Sequence, residues 1–190
     1  AQENNLGVDA CNERWERWHT CGLCKQGYHG LVKCALGWAC WKTNLGRPEA
    51  DQVRGLAMNL LGNGLNDAGH FEDALSVREA ELAMLRRLGA GELNILLTQS
   101  NLASTYDALG RHQDAMRMSR DVYFGRLKLL GQEHRESLIA ALNYASSLVQ
   151  LQRFEAAKAV FCKTIPVARR IIGEGHRLTL KMRMNYARAL

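Results

Sequence analysis

The chain has 190 residues, of which 47% are apolar and only two are proline, a composition that favours a packed helical core. Its formal net charge of +6 is scattered and is mild for a protein that binds nucleic acid. No apolar window of about 18 residues suggests a membrane span, and no secretory signal opens the chain. We therefore expect a cytoplasmic protein with some preference for acidic partners.

Cysteine is concentrated near the N-terminus, where five of the six cysteines fall within residues 11–40. One group follows the spacing C-x2-C-x4-H-x4-C, which resembles a CCHC zinc knuckle. Three thiolates and one imidazole satisfy tetrahedral zinc, and metal binding helps so short a segment to fold. We predict a structural zinc module in residues 1–47 of a protein from a reducing compartment, with the ligands Cys21, Cys24, His29 and Cys34.

Two other interpretations of this segment stay open. The stretch also resembles half of a larger cross-braced finger of the PHD or MYND type, in which Cys11, His19 and Cys40 would be further ligands. Alternatively, the cysteines are free and packed in a small helical cap. In either case, we expect the segment's tryptophans to form its small core: Trp15, Trp18, Trp38 and Trp41.

An internal repeat begins after Pro48, and its period is 42 residues. Gly89, Gly131 and Gly173 fall at this interval, and so do the motifs that begin at Asn101, Asn143 and Asn185. Each repeat has the pattern of two helices. First helices are predicted at 93–109 and 135–151, and second helices at 71–88 and 154–172. Such pairs bury their apolar faces by stacking, which gives a solenoid with a concave groove.

The repeat resembles the tetratricopeptide repeat (TPR). The second repeat supplies the large apolar residue, the small residue, the aromatic and the later alanine of that pattern, and the third supplies close equivalents. These residues are Leu102, Ala103, Tyr106 and Ala115, then Tyr144, Ala145, Leu148 and Ala157. The longer period is similar to the kinesin light chain-type subgroup. The resemblance implies an all-α fold in which residues 48–190 form an α-solenoid of about three and a half repeats.

The resemblance also implies that certain positions of the first helices face a peptide in the groove. An asparagine amide both donates and accepts, so it can bind a peptide backbone, although it can also tie adjacent helices together. Leu97 and Ile139 are candidates for an apolar pocket. The predicted peptide-binding residues are Asn63, Leu97, Asn101, Ser104, Asn143, Ser146, Lys181, Asn185 and Arg188.

Two departures from the repeat pattern carry predictions. Gly62 and Gly64 interrupt the first helix of the first repeat, which we expect to be weaker than its neighbours. The sequence stops at Leu190 inside a fourth repeat, so an apolar face is left for further sequence or for self-association.

No Walker loop, dinucleotide fingerprint, HExxH or GxSxG motif occurs, so the sequence does not indicate an enzyme. The favoured function is a protein-interaction adaptor or scaffold that binds a partner peptide in the concave groove. One alternative is a zinc-dependent nucleic-acid-binding protein, and another is the non-catalytic targeting part of a larger enzyme.

Overall fold

The computed structural model describes residues 15–190, and this part of the chain contains eight α-helices and no strand, as expected for an all-α fold. One isolated antiparallel bridge joins Thr20 to Gly27. None of the described helices is long and apolar enough to cross a bilayer. The helices are α1 (Gly30–Asn44), α2 (Gln52–Asp67), α3 (Phe71–Arg87), α4 (Glu92–Ala108), α5 (His112–Leu130), α6 (Arg135–Gln150), α7 (Phe154–Ile172) and α8 (Arg177–Arg188).

The predicted helix pairs are confirmed to within one residue at each boundary. First helices α2, α4, α6 and α8 alternate with second helices α3, α5 and α7. Second helices α5 and α7 end at Gly131 and Gly173, whose φ angles of 79° and 93° lie in the left-handed region that favours glycine. At the turn inside the third repeat, Gln152 adopts φ 57° where the other repeats have glycine.

Two histidines start first helices. The Nδ1 atom of His134 accepts a hydrogen bond from the backbone N–H of Glu136 at 3.1 Å, and that of His176 accepts from Leu178 at the same distance. Each bond satisfies an N–H that the helix itself leaves without a partner. The equal spacing of these histidines in the sequence therefore reflects capping of α6 and α8.

The chain forms two compact parts, residues 1–84 and 85–190, and the boundary between them along the chain falls in α3. The N-terminal part holds α1, α2 and most of α3, and the predicted division at Pro48 falls inside it. One of its cores gathers Cys34, Leu61, Leu65 and Ala74. A second core gathers Cys40, Ala57 and Leu60, against which Trp15, Trp18 and Trp41 pack. Trp38 is 43% exposed, so the predicted tryptophan core holds for three of the four residues.

Helices α1 and α2 approach closely because glycines lie in their interface. A Cβ atom at Gly37 would fall 2.9 Å from Cα of Leu61, and one at Gly64 would fall 2.7 Å from the carbonyl oxygen of Lys33. A glycine inside a helix costs about 1 kcal/mol relative to alanine. Gly64 lowers the helix propensity of α2, but it also permits a close contact with the backbone of α1 that any side chain would block.

The C-terminal part stacks its helices in sequence order, with α4 against α5, α5 against α6, α6 against α7 and α7 against α8. First helices α6 and α8 also contact each other. The small residues of the repeat, such as Ala115, Ala145 and Ala157, are at most 1% exposed and allow these close approaches. Phe161 is completely buried at the centre of the core. Neighbour-on-neighbour stacking is the architecture that the repeat predicted.

Candidate peptide-binding face

The predicted groove residues of the C-terminal part occupy one surface of each first helix. On α4, Leu97, Asn101 and Ser104 are spaced four and three residues apart and therefore share a side of the helix. The same spacing places Ile139, Asn143 and Ser146 together on α6, and Lys181, Asn185 and Arg188 together on α8. All nine are at least partly exposed. We call these nine residues the first-helix face.

Asn101 and Asn143 hold equivalent places on this face. Within residues 15–190, neither side-chain amide makes a hydrogen bond, so neither ties adjacent helices together. Their carbonyl oxygens accept from hydroxyls one turn later, Asn101 from Thr105 and Asn143 from Ser147, at 3.2 Å each. These bonds use the backbone carbonyls, so both side-chain amides keep their capacity to donate and accept.

The third asparagine of the series is already engaged. The Nδ2 atom of Asn185 donates to the carbonyl oxygen of Lys181 at 3.1 Å within α8. Lys181 and Arg188 on the same helix are exposed and form no ion pair with any described residue. The α8 part of the first-helix face therefore offers a partner two positive charges, while its asparagine amide is already hydrogen-bonded.

The two apolar candidates differ in their surroundings. Leu97 is 47% exposed, whereas Ile139 is partly buried and packs against the core of the C-terminal part. Covering an exposed leucine removes more apolar surface from water than covering a half-buried isoleucine, so it contributes more to the free energy of binding. Leu97 is therefore the stronger apolar contact candidate.

Asn63, in the N-terminal part, is bound within its own repeat. Its Nδ2 donates to Oδ1 of Asn59 at 2.9 Å, and its Oδ1 accepts from Nη2 of Arg78 at the same distance. Both ends of the amide are therefore occupied by side chains of α2 and α3. This engagement distinguishes Asn63 from Asn101 and Asn143.

The carboxylate of Asp107 contacts residues of two neighbouring helices beside the first-helix face. No pattern in the sequence predicted these contacts. Oδ1 of Asp107, on α4, lies 2.7 Å from Nδ1 of His112 at the start of α5. Its Oδ2 accepts from Nε2 of Gln150 at the end of α6, at 3.1 Å. Asp107 thus links the two first helices that carry Asn101 and Asn143.

The predicted zinc segment contains a tight hairpin. Cys21 N–H donates to the carbonyl oxygen of Gln26 at 2.9 Å, and Lys25 N–H donates to that of Cys21 at 3.0 Å. Lys25 takes φ 58°, which turns the chain. Hydrogen bonds from the backbone N–H groups of Cys24 and Leu23 lower the pKa of the Cys21 thiol, since they stabilise the thiolate.

The other two predicted ligands are placed elsewhere. Cys34 is 8% exposed in the core of the N-terminal part, and burial raises the pKa of its thiol, which opposes the thiolate that zinc requires. Nδ1 of His29 lies 3.9 Å from Oδ2 of Asp67. That same oxygen accepts from Gly30 N–H at 2.8 Å.

Across residues 15–190, no group of three or more His, Cys, Asp or Glu side chains is arranged to hold a metal ion. The predicted set of Cys21, Cys24, His29 and Cys34 is therefore not brought together in this structure. Cys11 lies outside the described residues, while His19 and Cys40 belong to the hairpin region and to the core. The zinc module stays a prediction from sequence.

Comparison with known proteins supports the repeat assignment. A family model described as tetratricopeptide repeat matches residues 95–136, a span equal to one period. No curated protein matches the chain.

Solved structures share the fold. A crystal structure of nearly identical TPR-like repeats from a candidate kinesin light chain of Podosopora anserina has a TM-score of 0.71 at 19% identity, covering 82% of this chain and 75% of that one. A point variant of the same protein gives 0.71 at 20% identity, with 82% and 74% covered. BtubC (BKLC) from P. vanneervenii gives 0.65 at 18% identity, with 83% and 70% covered. Residues 95–136 therefore match the tetratricopeptide repeat family, and the described helices share the fold of kinesin light chain-like, TPR-like proteins.

Proposed function

We propose that this chain is a protein-interaction adaptor or scaffold, and that its first-helix face binds an extended segment of a partner protein. The observation that carries the proposal is the pair of amides at Asn101 and Asn143. They occupy equivalent positions on successive first helices, remain accessible and have no side-chain partner among the described residues. Each can accept from a peptide N–H and donate to a peptide C=O, so the pair suits a main chain that runs across both helices.

The surrounding residues suit such a segment. Ser104 and Ser146 add hydroxyls one turn after the two amides, and Leu97 offers an exposed apolar contact. Lys181 and Arg188 supply positive charge that no described acidic residue neutralises. We therefore propose a partner segment that is extended, carries at least one apolar side chain and includes acidic residues, because such a segment complements both the apolar and the charged contacts.

A peptide array tests this proposal. The wild-type protein and the double variant Asn101→Ala/Asn143→Ala are screened on the same array, with Gln113→Ala, which removes an exposed amide from second helix α5, as the control. The proposal predicts a set of peptides that wild type and control bind and the double variant does not. If all three proteins bind the same peptides, the two amides do not form the site.

A further inference from the structure

The two compact parts of the chain carry net charges of opposite sign. Residues 1–84 contain 8 Lys and Arg against 11 Asp and Glu, whereas residues 85–190 contain 17 against 8. The modest +6 of the whole chain therefore combines −3 in the N-terminal part with +9 in the C-terminal part. An excess of this size within one compact part is typical of a surface that attracts a polyanion.

A pocket of about 260 Å³ lies on this basic part, between second helices α5 and α7. Leu127, Val160 and Val167 form its apolar walls and pack against the core of the C-terminal part. Ligand sites for whole small molecules measure roughly 300–1,000 Å³, so the pocket suits a single planar ring system better than a complete cofactor.

One side of the pocket is an ordered aromatic surface. The ring of Phe124 lies 5.1 Å from that of Tyr123 and 6.3 Å from that of Tyr144, and the two tyrosine rings stack at 5.9 Å. These neighbours support the Phe124 ring, although the residue is 53% exposed. An exposed, supported ring can stack on any nucleic-acid base, because every base has a π-face.

Polar groups surround the aromatic surface. Gln132 lines the pocket, and its exposed side-chain amide makes no hydrogen bond within residues 15–190, so it can donate to and accept from the edge of a base. Lys163 also lines the pocket, is exposed and forms no ion pair with any described residue. Lys128, one turn after Phe124, is likewise exposed and has no ion pair in this part of the chain. Ammonium groups are therefore free on both helices of the pocket.

The carboxylates closest along the chain are already paired. Asp121, one turn before Phe124, lies 3.0 Å from Arg120, and Glu133, which follows Gln132, pairs with Arg170. Among the described residues, no carboxylate lines the pocket. A polyanion at this surface therefore meets free positive charge and little repulsion.

We propose that the surface formed by α5 and α7 binds single-stranded nucleic acid, with one unstacked base in the pocket and the flanking phosphates on Lys128 and Lys163. The base stacks on Phe124, and its edge forms hydrogen bonds with the Gln132 amide. Because every nucleotide carries its own negative charge, a strand also complements the positive charge beyond the pocket. The site includes neither the first-helix face nor a predicted zinc ligand, so it does not depend on the function proposed above or on the zinc module.

Fluorescence anisotropy with the 190-residue chain and a fluorescein-labelled oligodeoxyadenylate of about twelve nucleotides tests this inference. Binding should saturate at about 50 mM salt and weaken as salt rises, with a log–log slope of about −1.4 for two phosphate contacts. An abasic strand of equal length should bind at least about fivefold more weakly, because it cannot stack. Polyglutamate of equal charge should compete poorly, and a chelator should have no effect. The ribo-oligomer shows whether the sugar matters.

Variants separate stacking from charge. Phe124→Ala should weaken binding of the oligoadenylate about fivefold or more and leave binding of the abasic strand unchanged. Lys163→Ala should weaken binding of both strands and reduce the salt slope by about 0.7. Lys42→Ala removes an exposed lysine without an ion pair from the described N-terminal part, and Asn101→Ala/Asn143→Ala alters the first-helix face. Both controls should bind the oligoadenylate within about twofold of wild type.

Three results would overturn the inference. The first is the absence of saturable binding at about 50 mM salt. The second is equal binding of the oligoadenylate, the abasic strand and polyglutamate, which would reveal attraction of any polyanion. The third is wild-type affinity of both Phe124→Ala and Lys163→Ala, which would place the strand elsewhere on the chain.

Discussion

Gly62 of α2 makes room for the side chain of Arg78 of α3. A Cβ atom at Gly62 would lie 3.3 Å from Cγ and 3.6 Å from Cζ of Arg78, which is only 2% exposed. Burial lowers the pKa of the Arg78 guanidinium to about 10, although the nearby charge of Glu81 opposes the shift. When the repeats are aligned on the buried residues Ala74 and Ala157, the third repeat has Ala145 and Phe161 at these positions, and both are fully buried. The first repeat thus replaces a small-plus-aromatic pair with a glycine-plus-arginine pair.

This contact predicts coupling between the two residues. In wild type, Gly62→Ala gains about 1 kcal/mol of helix propensity but crowds Arg78, so we expect little change or a loss of about 1 kcal/mol in the free energy of unfolding. In an Arg78→Ala background the crowding is absent, and the same substitution should stabilise by about 1 kcal/mol. Urea unfolding of the four proteins measures the coupling. If Gly62→Ala changes the unfolding free energy equally in both backgrounds, the contact between Gly62 and Arg78 does not contribute to stability.

The interface of α1 with α2 predicts that Gly64 tolerates no side chain. A Cβ atom there would lie 2.7 Å from the carbonyl oxygen of Lys33 and 2.8 Å from Cα of Cys34, and neither backbone atom can move alone. We expect Gly64→Ala to lower the free energy of unfolding by about 3 kcal/mol, as overpacked cores do.

Gly55 on the same helix provides the control, because its nearest neighbour is the flexible end of Met84 at 3.9 Å. Gly55→Ala should stabilise the protein by up to about 1 kcal/mol. Stabilisation by both substitutions would mean that α1 does not pack on α2 as described.

The contacts of Asp107 predict that its removal costs more unfolding free energy than the removal of Asp121, another acidic residue of the same part. Its carboxylate has partners on α5 and α6, so Asp107→Ala should cost about 1–2 kcal/mol of unfolding free energy. Within residues 15–190, the Asp121 carboxylate pairs only with the adjacent Arg120, and Asp121→Ala should change stability by less than about 0.5 kcal/mol. Denaturant unfolding compares the two variants, and similar losses would remove the linking role of Asp107.

Cysteine reactivity separates the exposed thiols from the core thiols. Cys24 and Cys162 are exposed and Cys21 is partly exposed, so all three should be alkylated in the native protein. Cys34 and Cys40 are buried and should react only after unfolding. Iodoacetamide labelling with peptide mapping by mass spectrometry distinguishes the five sites.

The pH dependence of this labelling follows from the pKa shifts. The lowered pKa of Cys21 leaves more thiolate at neutral pH, so its alkylation should reach a plateau at lower pH in the native than in the unfolded protein. If the predicted zinc knuckle forms, Cys21 and Cys24 should instead be protected until a chelator is added, and metal analysis should find about one zinc per chain. Reactive Cys21 and Cys24 would therefore support the thiols as the structure has them, and protected ones that react after chelation would support the zinc knuckle.

The sequence predicted the helix pairs well because their signals are local and repeated. Each glycine at a helix end, each alanine at a close approach and each capping histidine recurs at the same interval, so neighbouring repeats corroborate one another. The two free amides at Asn101 and Asn143 were found in the same way, as equal residues at equal positions.

Features that belong to one repeat alone were harder to foresee. Gly62 and Gly64 were interpreted as helix-weakening residues, because their partners Arg78 and Lys33 are distant in sequence. Asn63 stays a predicted binding residue, although nothing in its spacing reveals that its amide bonds to Asn59 and Arg78. Cysteine spacing predicted converging zinc ligands, and that prediction stays open; what the spacing did not indicate is that α1 places Cys34 in a core.

Isothermal titration tests the central proposal most directly. The strongest peptide from the array is titrated into wild type, Gln113→Ala, Asn101→Ala, Asn143→Ala and the Asn101/Asn143 double variant. Since each amide contributes hydrogen bonds of about 0.5–1.5 kcal/mol, each single substitution should weaken binding roughly two- to tenfold, and the double substitution about tenfold or more. A dissociation constant for the double variant equal to that of wild type and Gln113→Ala would show that the peptide binds elsewhere.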